Sequence, residues 1–122
     1  MSKFKVSFKR EIEGKKKTQS VLFSGANYGD VETQFYNYCE ENEIAITIED
    51  YKIVPSNITD IIVHDEGVGV YWLITCIEED LDSKATKRYV LIEAQNDIEA
   101  RKEIEEIVEV KSTVLTNFID VI

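Results

Sequence analysis

Lys3, Lys5 and Lys9 alternate with Phe4, Val6 and Phe8, Arg10 follows them, and Lys15-Lys16-Lys17 comes within a turn's length. Residues two apart on a strand point to one face, so this spacing lines up ammonium groups along one side of a β-hairpin. Cations in such a row suit one kind of chemistry, neutralising successive phosphates of a nucleic acid and releasing their counterions. Lys84, Lys87 and Arg88 take corresponding places in a second hairpin pattern. Tyr28, Tyr36 and Tyr51 fall outside the main apolar stripes and are expected to offer faces on which bases stack. A protective role competes with this reading, because charged side chains keep an edge strand from pairing with another chain.

Other chemistries find less material. His64 is the only histidine, sits in the polar link His64-Asp65-Glu66-Gly67-Val68-Gly69 and reads as a solvated loop residue. Cys39 and Cys76 lie in apolar patterns and read as buried free thiols rather than a disulfide framework. Glu78-Glu79-Asp80-x-Asp82 is the densest group of hard-cation ligands. It lacks the central Gly and distal Glu of a calcium loop, so it reads as an acidic hairpin tip. Glu99, Glu103, Glu105, Glu106 and Glu109 read as a solvated helix face. With no acid–base constellation, Gly-rich phosphate loop or ligand-spaced Cys pair, the expectation is no catalytic site, no metal and no cofactor, hence no enzyme.

The elements that position these residues follow from periodicity. The first strand leads through Gly14 and the lysine run into a returning strand over Thr18–Ser24. Asp30 is expected to cap a helix whose buried stripe is Val31, Phe35, Tyr38 and Cys39, ending near Asn42. Ile44, Ile46 and Ile48 alternate as a strand would, then Tyr51–Val54, and Pro55-Ser56-Asn57 turns the chain into Ile58–Val63. Tyr71–Ile77, apolar on both faces, reads as a central strand, with Trp72 buried against the helix carrying Phe35. Arg88–Ala94 returns. Asn96 and Glu99 form a capping box for a helix burying Ala100, Ile104, Ile107 and Val108, and Thr113–Ile122 closes as one strand.

The second half repeats the first. Asn57-Ile58-Thr59-Asp60-Ile61-Ile62 returns as Asn117-Phe118-Ile119-Asp120-Val121-Ile122, and the basic turns, returning strands and helix starts recur in the same order. The expected fold is α+β: two fused β-β-α-β repeats, 3–63 and 71–122, related by a pseudo-two-fold around one shared core in a single domain spanning 1–122. Such a chain of 122 residues, 43% hydrophobic, has globular composition. Without an apolar run of membrane-span length or a signal-peptide core, it is expected to be cytoplasmic with no membrane partner. Its net charge of −10 is uneven, because residues 1–17 hold seven of the 14 basic side chains against Glu11 and Glu13.

The strand Trp72-Leu73-Ile74-Thr75, the basic hairpin Lys84–Tyr89, Val90-Leu91-Ile92-Glu93-Ala94 before Glu99-Ala100, the close Phe118-Ile119-Asp120-Val121-Ile122 and the opening Phe4-Lys5-Val6 together resemble a domain family of unknown function found in gut-type bacteria and their phages. The resemblance implies a phage origin and carries no activity or catalytic residue. The expected function is that of a non-enzymatic phage-type binding protein, acting on single-stranded DNA through Lys3, Lys5, Lys9, Arg10, Lys15, Lys16, Lys17, Lys84, Lys87 and Arg88. The alternative is an acidic protein that binds or inhibits a host protein, its carboxylates imitating a nucleic acid backbone.

Overall fold

The alternation of Phe4, Val6 and Phe8 with polar residues produces the long strand it predicts. In the computed structural model, which describes residues 2–64, 67, 69–79 and 81–122, the elements run β1 (Ser2–Ile12), β2 (Lys15–Gly25), α1 (Tyr28–Glu41), a 3-10 turn (Ile48–Asp50), β3 (Tyr51–Pro55), β4 (Asp60–Ile62), β5 (Tyr71–Glu79), β6 (Ala85–Glu93), α2 (Asp97–Lys102), β7 (Glu109–Leu115) and β8 (Phe118–Val121). Asp65, Glu66 and Val68 of the link and Asp80 of the acidic turn lie outside the described residues. The fold is mixed α+β, dominated by two four-stranded sheets. No described helix is long and apolar enough to cross a membrane.

The chain divides into two compact units, one of Met1–Ser56 with Asn117–Ile122 and one of Asn57–Thr116. In the first, the sheet order is β3-β1-β2-β8. β1 and β2 pair from Ser2↔Gly25 to Ile12↔Lys15. The tight turn between them places Glu13 and Gly14 at positive φ, 53° and 80°, as a two-residue hairpin turn requires. The lysine run therefore lies in β2, not in the turn. Phe4, Val6, Phe8, Val21 and Phe23 face α1, whose Val31, Phe35, Tyr38 and Cys39 complete one buried cluster. Asn27, not Asp30, caps α1: its side chain accepts from the Asp30 N–H at 2.9 Å, while the Asp30 carboxylate takes the Ala26 N–H at 2.9 Å. The expected strand through Ile44, Ile46 and Ile48 does not form. Ile44 tucks back onto the helix end, its N–H on the Cys39 carbonyl at 2.8 Å, and Ile48 is left exposed in the 3-10 turn.

In the second unit the order is β4-β6-β5-β7, so β5 is internal, with antiparallel neighbours on both sides. Asn96 caps α2 through the Glu99 N–H at 2.9 Å, and Glu99 reaches back to the Gln95 N–H at 3.3 Å. The helix stops at Lys102, which breaks the expected 3.6-residue stripe. Ile104 is still buried, but Ile107 is 81% exposed. Trp72 packs within the second unit. It is half-buried against the second unit's own cluster of Ile74, Cys76, Val90 and Ile92, its indole N–H donating to the Ala94 carbonyl at 3.0 Å. The closing segment is two strands rather than one. β7 joins β5, and after a break at Thr116-Asn117 the chain returns to the first unit, where β8 runs parallel to β2.

Candidate nucleic-acid interface

Register decides which cations share a surface. Lys3, Lys5 and Lys9 project from the face of β1 opposite α1, where Lys5 stands across from Leu22, Ser7 from Ser20 and Glu11 from Lys16. Ser20, Leu22 and Phe118 on that face are buried, Lys3 and Lys5 are half-buried, and the Lys5 ammonium sits 5.4 Å from the Phe118 ring centroid. Arg10 pairs with Lys17 and Ile12 with Lys15 on the other face, the side that carries α1. The ten sequence-nominated cations thus divide between two faces of one hairpin and a second hairpin.

The protective reading of the lysines fails for the part of β1 that is interior, and it stays open for the stretch without flanking strands. From Phe4 to Phe8, β1 is flanked by β2 on one side and β3 on the other, so it is an interior strand with no edge to guard. β3 leaves β1 at the Phe8–Tyr51 pair, and β8 first meets β2 at Ser20. Residues 9–19 therefore continue as a two-stranded ribbon without flanking strands among the described residues. This ribbon carries Lys9, Arg10, Lys15, Lys16 and Lys17 against Glu11 and Glu13. Lys9, Lys15, Lys16 and Lys17 are exposed, and among the described residues Lys16 pairs loosely with Asp50 at 3.8 Å.

The second hairpin is chemically different. Arg88 is held by two carboxylates, its Nε 2.8 Å from Glu78 and a terminal nitrogen 3.5 Å from Asp60. Lys84 and Lys87 are exposed on β6 and the turn before it, beside the acidic residues Glu78, Glu79 and Asp82. Around this hairpin the positive charge is compensated locally.

The tyrosines lie on the α1 side. Tyr51 packs on Phe35 at 5.0 Å between ring centroids and meets Tyr36 edge-on at 5.8 Å. The Tyr36 and Tyr51 hydroxyls are 2.8 Å apart, and Tyr51 donates to Glu32 at 3.1 Å. That bond to Tyr36, together with burial and the Glu32 carboxylate, pushes the Tyr51 phenol well above its ordinary pKa. Tyr28 meets Phe4 edge-on at 5.1 Å and is half exposed. The sheet therefore separates all three tyrosines from Lys3, Lys5 and Lys9, and only Arg10, Lys15 and Lys17 share their side.

Both thiols are poor nucleophiles. Burial raises the pKa of Cys39 and of Cys76, opposed in part by Arg10 and Arg88 respectively, so little thiolate exists at neutral pH. His64 is exposed and bonded to Glu103 at 3.0 Å. Among the described residues, no three His, Cys, Asp or Glu side chains gather as a metal site. Sequence reasoning passed over Glu93, a buried carboxylate that accepts the backbone N–H groups of His64 at 3.3 Å and Gly69 at 3.2 Å. Its signal was available: an acid directly continuing the apolar run Val90-Leu91-Ile92.

A family model described as a domain of unknown function, DUF4494, matches residues 2–122. The chain belongs to this family. The match takes in every element of the DUF4494 chain described above, from β1 to β8. No curated protein and no solved structure matches it.

Proposed function

We propose that this DUF4494 protein is a non-enzymatic binding module that holds single-stranded nucleic acid along the free ribbon of hairpin β1–β2. The observation that carries the reading is the ribbon itself: four exposed lysines and a half-buried Arg10 against two carboxylates, with no flanking strand beyond Phe8 and Ser20 among the described residues, in a chain of net charge −10. An acidic protein is repelled more strongly by a duplex than by a single strand of lower charge density, which favours the single-stranded ligand. Tyr28 and Tyr36, exposed on α1, are the bases' stacking partners in this reading. The setting in this reading is DNA transactions, and the phage origin alone is what the resemblance implies.

The two halves are in this reading a duplicated β-β-α-β unit that has exchanged its closing strands. Each sheet consists of a hairpin, an antiparallel strand beside its first member and a short parallel strand beside its second. The repeated Asn-x-x-Asp segments supply both parallel strands, Asp60 opposite Val90 and Asp120 opposite Val21.

Fluorescence anisotropy of a labelled oligo(dT) tests the function. With about four phosphates neutralised, log affinity falls with log salt at a slope of about −3. Absence of binding, or a slope near zero, overturns the reading. The second reading, an acidic face that engages a basic host protein, is favoured by the composition of the second unit: fourteen acidic side chains against six basic. It predicts that reversing Glu105 and Glu106 abolishes the protein contact and leaves oligonucleotide affinity no lower.

A further inference from the structure

An apolar groove opens in the second unit under the chain that follows α2. Its volume is about 300 Å³, and Ile62, Cys76, Val90, Ile104, Ile107 and Val108 line it. Asp60 and Arg88 also line it, and Arg88 is already neutralised by Asp60 and Glu78. An adjoining depression shares Ile107 and Val108 and adds Glu79, Glu105, Glu106 and Glu109. Ile107, largely exposed, is therefore an apolar side chain set among carboxylates. Such a surface suits an apolar residue flanked by cations, with the apolar group removed from water and the charges meeting at the rim.

The same chain carries that complement. On one face of the free ribbon, Ile12 stands beside Lys15, with Arg10 and Lys17 as the next cross-strand pair. We infer that the groove of one copy receives the ribbon of a second copy. Donor and acceptor surfaces differ, so two copies either exchange ribbons reciprocally and close as a two-fold dimer, or leave a free ribbon and a free groove from which rings or open chains grow. The contact stands whether or not the ribbon takes nucleic acid. Where it does, assembly and nucleic acid compete for the same lysines.

Sedimentation of the purified full chain without nucleic acid tests this, at about 0.1 M salt where screening over roughly 10 Å limits the repulsion between two acidic copies. The wild-type chain should pass from monomer to dimer or larger species as concentration rises to about 1 mM, the scale of a weak contact. Lys15→Glu/Lys17→Glu keeps its groove and loses its ribbon, whereas Glu105→Lys/Glu106→Lys keeps its ribbon and loses its groove. Each alone should stay monomeric, and the two mixed should form a one-to-one dimer that grows no further. All four positions are exposed, so the variants should keep the wild-type circular dichroism and melting temperature. A wild-type chain monomeric throughout, variants that still assemble alone, or a mixture that does not dimerise each overturn the inference.

Discussion

Tyr51 stands opposite Phe8 as the last cross-strand pair between β3 and β1, and beyond it β1 pairs only with β2 among the described residues. The pair marks where packed sheet ends and ribbon begins. Phe8 is fully buried against Phe35, while Lys9, one residue on, is exposed.

Arg88 and the ribbon lysines should behave differently when removed. Arg88 is occupied by Glu78 and Asp60, so Arg88→Ala should leave oligonucleotide affinity within about twofold and lower stability by about 1 kcal/mol or less, as exposed ion pairs do. Chemical denaturation and anisotropy on the same variant read both effects.

Much of the fold was legible because it rests on short-range pattern. The alternation of Phe4, Val6 and Phe8, the stripe Val31, Phe35, Tyr38 and Cys39, and the Asn96–Glu99 cap each appear where local sequence placed them. What local pattern does not encode is pairing between distant strands. The identical look of the two Asn-x-x-Asp segments gave no sign of which sheet each would join. The ligand surface suffered likewise. Spacing put Lys3, Lys5 and Lys9 on one face correctly, but only the positions of β3 and β8 reveal that the free cations begin at Lys9.

The buried carboxylate of Glu93 should be costly to lose. Glu93→Ala leaves the N–H groups of His64 and Gly69 without their acceptor, a penalty of about 2–3 kcal/mol. Gly67→Ala attacks the same contact from outside, because a Cβ there would sit 2.8 Å from a Glu93 carboxylate oxygen. Both variants should lower the melting temperature, and a pair of wild-type melts would contradict the account of the link.

Trp72 contributes through a bond and through partial burial. Trp72→Phe removes the donor to the Ala94 carbonyl and should cost about 1 kcal/mol. Trp72→Ala should cost about 3 kcal/mol, the lower end for a large aromatic, because the ring is only half-buried. Urea denaturation of the two variants checks the order.

Alkaline stability should report Tyr38. Burial, with help from the hydrogen-bonded Asp120 carboxylate and against the pull of Arg10, pushes its phenol from 10.0 up to about 12. A pKa raised on folding stabilises the neutral form, so the contribution is intact below pH 10 and is lost as pH climbs from 10.0 through about 12. Stability measured across that window should fall for the wild-type chain and fall less for Tyr38→Phe.

Neutralising the ribbon tests the central claim most directly. Oligo(dT) affinity should be measured against salt for the wild-type chain, Lys15→Gln/Lys17→Gln and Lys84→Gln/Lys87→Gln. The ribbon variant should bind at least about tenfold more weakly at low salt, with a slope smaller by about 1.4, two single-strand phosphate contacts. The second-hairpin variant should lose far less. Equal affinity and equal slope for the ribbon variant and the wild-type chain would contradict the account.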